Sequence, residues 1–365
     1  MKRPSTGIGG AQELGLVLVV LMIALLLTLA SEPVTIRGQE VNNFFRIDNI
    51  LPNVATPMSW MAIMAIGVTI VIVAGGIDIS IGSTFGCAAL GTVAVLQTFP
   101  EDASAGVVIP VAIAVPVVIG LACGLLNGAL VVGLRMHPFI VTLGTMSILR
   151  GIALITVETK SLPSWGRTLP VAFTEKFIAW EITSEPLAWA KLQPVPMLIM
   201  LFCLIVAMVY LAKTPSGREI YAVGGNPEAA RFSGLGVGWI TIRVYMLAGL
   251  AAGIAGMISA GYYGSANTAT GEGYELTVIA AAVVGGASLA GGRGSALGAL
   301  LGALIIKLIE NGIDILKNID LGLFTLHVSK EYSKIIIGAA IIIAVAIDRL
   351  SEHARRRRRR TSATH

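Results

Sequence analysis

Charge is scarce in this chain. Of 365 residues, 13% are Asp, Glu, Lys or Arg and 6% are aromatic. A surface built from so few charges excludes an ordinary water-soluble domain, in which about 25% of residues are charged. Cysteine is nearly absent too: Cys87, Cys123 and Cys203 are unevenly spaced in apolar runs, with no C-x-x-C pair. That excludes a disulfide framework or thiolate metal site and leaves three small core residues. The four histidines, His137, His327, His353 and His365, have no second ligand at helical spacing, so no metal site is expected. No G-x-x-x-x-G-K-[ST] phosphate loop occurs, so this polypeptide does not itself cradle ATP phosphates in that way. With no H-E-x-x-H, Ser-His-Asp order or paired carboxylates at a common depth, the chain does not read as an enzyme.

What it has instead is apolar length. Mean hydropathy is +0.82, and 55% of residues are hydrophobic. An apolar helix of about 20 residues spans a bilayer, and on that basis the chain divides into about ten segments. They are 14–30, 55–74, 80–98, 107–133, 138–157, 195–212, 240–262, 275–291, 294–316 and 332–349. The expected fold is an all-α polytopic membrane protein, one transmembrane domain over 1–365. Residues 1–13 precede the helices and 350–365 form a basic tail. The first segment also has the pattern of a cleavable signal, with Lys2 and Arg3 before the run and Thr28-Leu29-Ala30 at its end, but its length favours a retained helix.

Orientation follows from Lys and Arg near helix ends. If the segments alternate, Lys2, Arg3, Arg135, Lys213, Arg218, Arg231, Arg243, Arg293, Arg349 and the run Arg355 to Arg360 fall on one side, the cytoplasm. Glu32, Glu101, Asp102, Glu158, Glu181, Glu185 and Glu272 fall on the other. Both termini and the loop 213–239 are then cytoplasmic, and 158–194 is periplasmic. The terminal arginine run suits anionic lipid better than nucleic acid, and no nucleic-acid partner is expected. In 158–194, Trp165, Trp180 and Trp189 suggest one or two interfacial helices, or a surface that docks an external protein.

Two stretches repeat a pattern of apolar run, paired glycines, polar residue and small-residue helix. They are IVIVAGGIDISIGSTFGCAALG at Ile70 to Gly91 and IAAAVVGGASLAGGRGSALGALLGALI at Ile279 to Ile305. Both run in the same direction, which implies two similar halves related by an axis along the membrane normal. Glycines spaced by four, Gly120, Gly124, Gly128 and Gly294, Gly298, Gly302, predict closely packed helix faces.

One polar segment interrupts this pattern: GGNPEAARFSGLGV, Gly224 to Val237. Asn226 is a good N-cap, Pro227 suits the first helical position, Glu228 complements the helix dipole, and Gly234 can end the turn. The result is a helix of about two turns, too short to stand alone in water. Ala229 and Ala230 allow close approach, Phe232 is an apolar knob, and Arg231 and Glu228 can fix register against a partner.

Ionisable and polar residues inside spans are candidates for a solute pathway. Asp78 lies after a glycine break and reads either as a pathway group or as the cap of the next helix, with Asn127 and Thr142 as polar neighbours. Arg150 can snorkel, bond a solute hydroxyl or bond a neighbouring helix. Lys307, Glu310, Asn311 and Asp314 share one helix face, which either lines a cavity or pairs internally. Glu275 sits at a helix start, where a structural role fits.

Taken together, these residues resemble the ribose-type sugar permeases, the transmembrane subunits of ATP-binding-cassette importers within the branched-chain amino acid/ribose permease superfamily. The resemblance is carried by AGGIDISIGS (Ala74 to Ser83), GLLNGALV (Gly124 to Val131), FIVTLGTMSILRGIAL (Phe139 to Leu154), SGREIYAVGGNPEAARFSGLGV (Ser216 to Val237) and TGEGYELTVIAAAVVGGASLAGGRGS (Thr270 to Ser295). It departs in an apparent insertion near Ile315 to Val328 and in the basic tail. The resemblance implies a permease dimer, homo- or heteromeric, with two cytoplasmic ATPase subunits and a periplasmic sugar-binding protein. No cofactor would be bound by this chain, ATP and Mg being used by the ATPase. It also implies that Glu228, Ala229, Ala230 and Gly234, a loose E-A-A-x-x-x-G, belong to the ATPase-coupling helix, and that a monosaccharide passes by alternating access. A branched-chain amino acid or a furanose signal is the alternative solute. An ion-coupled secondary carrier is the rival class, with Asp78 as its sole obvious acid.

Overall fold

A computed structural model describes residues 7–36, 38–157, 160–182, 192–316, 318–320, 325–327, 332–340, 342–343 and 346. Helices dominate. Helix α1 (Gly7–Ala30) is followed by a hairpin of β1 (Pro33–Ile36) and β2 (Gln39–Asn42), in which Pro33 faces Asn42. The short α2 (Ile47–Asn49) and a π-type turn (Ile50–Ala55) lead into α3 (Thr56–Val73), then α4 (Ile81–Leu96), α5 (Ala105–Gly133) and α6 (Pro138–Thr156). After β3 (Ser161–Leu162) and a second π-type turn (Thr174–Ile178) come α7 (Pro194–Lys213), α8 (Pro215–Gly225), α9 (Pro227–Phe232) and α10 (Val237–Tyr263). The described chain continues through β4 (Ala266–Asn267), paired with β3, then α11 (Tyr274–Val284), α12 (Ala296–Ile315) and helical residues 332–340, here α13.

Seven described helical stretches are long and apolar enough to cross a bilayer: Gln12–Ala30, Ile47–Val73, Ala105–Gly133, Pro138–Thr156, Pro194–Lys213, Val237–Tyr263 and Ala296–Ile315. This is an all-α, multi-pass membrane protein. The third and eighth expected segments are shorter helices, of 16 and 11 residues. At about 1.5 Å per residue, α11 covers roughly 17 Å, well short of a bilayer core of about 30 Å. The tenth expected segment is helical over 332–340, and its later part lies largely outside the described residues. The insertion near Ile315 to Val328 contains an antiparallel pair, β5 (Asn318–Asp320) with β6 (Thr325–His327). In 158–194 the described residues hold β3 and the five-residue π-type helical turn Thr174–Ile178, and 183–191 lie outside the described residues. Trp165 is fully exposed, Trp180 is partly exposed, and Trp189 lies outside the described residues.

The centre of the bundle is α3, buried along its whole length and packed by α7, α10, α11 and α12. The glycine row of α5 explains the tightest crossing. A methyl at Gly120, Gly124 or Gly128 would run into the backbone of Gly249, Tyr245 or Ile242 in α10, so the two backbones meet without side chains between them. Gly298 and Gly302 bring α12 equally close to α11, at Gly285 and Ala281. Gly294 departs from the expected row. It precedes α12 in a loop, with φ +153°, against Val73 and Thr69.

The two repeated stretches end their incoming helices alike. After α3, Ala74 N donates to Ile70 O (3.2 Å), Gly75 N to Ile72 O (2.9 Å) and Gly76 N to Val71 O (2.9 Å). After α11, Gly285 N donates to Ala281 O (2.9 Å), Gly286 N to Val283 O (2.9 Å) and Ala287 N to Ala282 O (3.0 Å). Gly75 and Gly286 both have positive φ, +86° and +96°. This is the left-handed glycine termination of a helix, used twice. It turns the chain inside the bundle before α4 and before α12.

Candidate functional site

Four places among the described residues bring polar residues together, and the first is the short helix α9. Asn226 Oδ1 accepts from Ala229 N at 3.0 Å, Pro227 and Glu228 occupy its first turn, and Gly234, at φ +81°, ends it. The local chemistry of the sequence is therefore realised residue by residue. Ala230 is buried (5% exposed) and Phe232 is 92% exposed, so the helix is held by one face and offers the other.

What holds it is α8. Thr214 Oγ1 caps α8 by accepting from Gly217 N (3.0 Å), and Gly217 lies so close to the Tyr210 carbonyl that no side chain fits. Arg243 of α10 donates to Ser216 Oγ (3.0 Å) and to the Glu219 carboxylate (2.9 Å), fastening α8 to the bundle. At its far end α8 reaches both glycine breaks. Gly224 lies against the Val73 carbonyl, where an added methyl would collide, and that same carbonyl accepts from Gly292 N at 2.8 Å. Tyr221 OH donates to Gly294 O at 2.8 Å. Helix α1 joins here, with Ser295 Oγ donating to Glu13 Oε1 at 2.8 Å. Gly224 opens the polar segment singled out in the sequence, but nothing in the local pattern marked Tyr221 or Glu13 as its partners.

The second place is the first break, residues 74–80. Asp78 is buried, and its Oδ1 accepts from Ser80 N (2.9 Å) and Ser80 Oγ (2.6 Å). Asn127 Nδ2 donates to Ser80 Oγ (2.7 Å), and Thr145 Oγ1 donates to Asn127 Oδ1 (2.7 Å). A line of donors from α6 through α5 thus ends on the carboxylate. The break's backbone is satisfied as well: Thr142 Oγ1 accepts from Ile79 N (3.2 Å), and Tyr245 OH donates to Ile77 O (3.1 Å). Irregular backbone at membrane depth requires such partners. Asp78, Asn127 and Thr142, paired in the sequence reading, share this network, with Ser80, Thr145 and Tyr245 added. None of these three was singled out in the sequence, and Tyr245 lies more than 160 positions away from the Ile77 carbonyl it holds.

The third place is the loop 264–273, which folds back against α4. Arg150 Nη1 donates to Thr270 O (2.9 Å) and Thr268 O (3.4 Å). These partners are carbonyls of a loop, not the neighbouring helix that the sequence offered as one of its roles. Elsewhere, Lys307 and Glu310 pair at 2.6 Å on the wall of a cavity of about 430 Å³ that Tyr262, Tyr263, Asn53 and Asp314 also line. The polar stripe therefore both pairs internally and faces a cavity. Asn311 leaves the stripe to exchange hydrogen bonds with Asn49 (3.0 and 3.1 Å).

Residues 50–345 match the family described as branched-chain amino acid transport system, permease component. The chain is 38% identical to the ribose import permease protein RbsC of Escherichia coli K12, over 84% of this chain and 87% of that protein. It is 36% identical to the protein of that name from Haemophilus influenzae (84% and 86%). To the autoinducer 2 import system permease protein LsrD of Escherichia coli O9:H4 it is 31% identical (80% and 82%). No solved structure matches.

Proposed function

The chain belongs to the branched-chain amino acid transport system permease family, and we propose that it is the membrane subunit of an ATP-binding-cassette importer for a monosaccharide, seated in the bacterial inner membrane. The observation that carries the reading is similarity over most of the chain to permeases named for ribose import. A furanose signal is the second solute, favoured by the similarity to an autoinducer 2 permease. The assembly is two permease copies, two ATPase subunits and a periplasmic binding protein, and this chain binds no ATP or Mg of its own.

In this reading the α8–α9 end is cytoplasmic and the ATPase grips α9. Asn226 and Pro227 start the helix, Glu228 and Arg231 set register, Ala229 and Ala230 let it seat, Phe232 enters the ATPase surface and Gly234 releases the chain toward α10. Movement of α9 passes through α8 to both glycine breaks, because Gly224 and Tyr221 rest on them. The breaks are where the two halves can rock, changing which side the pathway faces. Asp78, Asn127 and Thr142 keep the first break satisfied through that motion. Arg150, Lys307, Glu310 and Asn311 are pathway candidates on the remaining helices.

The decisive experiment is uptake into proteoliposomes. Ribose uptake should require the cognate ATPase, the binding protein and ATP; uptake by the permease alone, or driven by a proton or sodium gradient, would sink the reading. A crosslinking test addresses α9. Cysteine at Phe232 should bond to cysteines on the ATPase surface, while cysteine at the buried Ala230 should react far more slowly. Equal reactivity at the two positions, or none at Phe232 across nucleotide states, would remove α9 from the coupling role.

A further inference from the structure

Between α4, α5 and α6 lies a cavity of about 580 Å³ that the importer mechanism above does not use. Leu90, Ala94, Ile119, Leu149 and Ala153 give it an apolar body. Polar atoms on that body are already committed to backbone: Cys87 Sγ donates to Leu149 O (3.5 Å) and Thr156 Oγ1 to Ile152 O (2.7 Å). A hydrated solute would find few partners there. Ile152 and Ile155, on the α6 wall, are exposed, Ile155 at 79%, so the cavity reaches the lipid-facing side of the bundle.

Its length matches lipid. From Cys87 to Gln97 the cavity follows α4 for about 15 Å, at about 1.5 Å per residue. That is half of a hydrocarbon core of about 30 Å, the depth of one leaflet. The end at Gln97 is polar and built. Gln97 Oε1 accepts from Ser164 N at 2.9 Å, and Arg167 Nη1 donates to Gln97 O at 3.4 Å. Trp165, fully exposed, adjoins Ser164, as a tryptophan does at headgroup level. Lys160 lies in the turn between Val157 and Leu162, which both line the cavity. Arg167 and Lys160 are exposed, and among the described residues neither makes an ion pair. An apolar slot one leaflet deep, with two unpaired cations at its headgroup end, fits an anionic lipid.

We propose that this cavity is a lipid site, in which one acyl chain of an anionic phospholipid fills the seam between α5 and α6 and its phosphate rests on Arg167 and Lys160. The lipid comes from the leaflet at the end of the bundle away from α9, because α4 leads to Gln97 from the break on which α8 rests. The site requires the membrane fold but not the importer reading.

The test is native mass spectrometry of the purified full-length permease, titrated in detergent with phosphatidylglycerol or phosphatidylcholine. The wild type should retain one phosphatidylglycerol per chain, with at least threefold preference over phosphatidylcholine. Lys160→Gln combined with Arg167→Gln, both at exposed positions, should lower phosphatidylglycerol binding at least threefold and erase the preference. Ala94→Phe, which fills the cavity, should lower the binding of both lipids. The native cysteines report occupancy with no substitution at all. Phosphatidylglycerol should slow N-ethylmaleimide labelling of Cys87 and Cys123, which line the cavity, at least threefold, and leave Cys203 of α7 unchanged. Equal binding of the two lipids, or undiminished binding in Ala94→Phe, would overturn the site. Labelling of Cys87 and Cys123 that phosphatidylglycerol leaves unaltered would overturn it too: fast labelling would mean a cavity open to water, and slow labelling throughout would mean one covered by a second permease copy.

Discussion

Gly224→Ala is expected to abolish most ATP-driven uptake while ATP hydrolysis by the attached ATPase continues. The added methyl would occupy the space of the Val73 carbonyl and stand 2.8 Å from Gly292 N, the two partners of the hydrogen bond that joins the glycine breaks. Helix α8 must move away from one break or both. Overpacking of this kind costs about 1–3 kcal/mol. Placed on a conformational equilibrium, that is roughly 5- to 150-fold. The loss falls on transmission, because α9 and its exposed Phe232 lie beyond the altered contact. Gly225→Ala is the control: it changes the same helix end, yet nothing lies within 4 Å of its added methyl. If the two variants transport alike, α8 does not carry the motion.

Gly124→Val should prevent the bundle from closing, a larger effect on stability than any other single change considered. Helices α5 and α10 cross on bare backbone, and a side chain at Gly124 would overlap the Tyr245 carbonyl and approach Met246 Cα to 2.8 Å. Neither neighbour is the flexible tip of a side chain, so the helices themselves must part. Tyr245 also holds Ile77 O, so the displacement reaches the first break. We expect loss of the monodisperse peak in detergent size-exclusion chromatography, whereas Gly133→Ala, with nothing within 4 Å, should elute and melt as the parent does. A monodisperse Gly124→Val protein with the parent's melting temperature would contradict this account of the crossing.

How legible this was depends on the range of each interaction. Asn226, Pro227 and Gly234 act within a few residues, and α9 forms where they place it. The paired glycines act locally too, so both breaks fall where the repeat suggested. The row Gly120, Gly124, Gly128 could be read because only a close partner explains three side-chain-free turns. Hydropathy was silent on which helix is central. Helix α3 is buried on all sides and α1 is largely exposed, yet both are apolar all round, since lipid and protein interior ask for similar residues. The descent of loop 264–273 was also hidden. Its partner Arg150 lies 118 and 120 positions from the carbonyls it holds, and a single arginine in a span fits several roles. Glu275 read as a helix-start carboxylate, and in the first turn of α11 its Oε1 accepts from Gly273 N at 3.3 Å.

The burial of α3 bears on how the protein is made. Its principal partners, α7, α10, α11 and α12, all begin at Pro194 or later. On the ribosome, α3 is therefore released into the bilayer long before any of its walls exist, and for that interval it must be tolerated by bare lipid. One of its hydroxyls suits that wait: Ser59 donates to Ala55 O in the turn before it. The core of the finished transporter is thus an early-inserted rod around which later-synthesised helices assemble, so a truncated nascent chain ending before α7 would present α3 as an ordinary lipid-facing span.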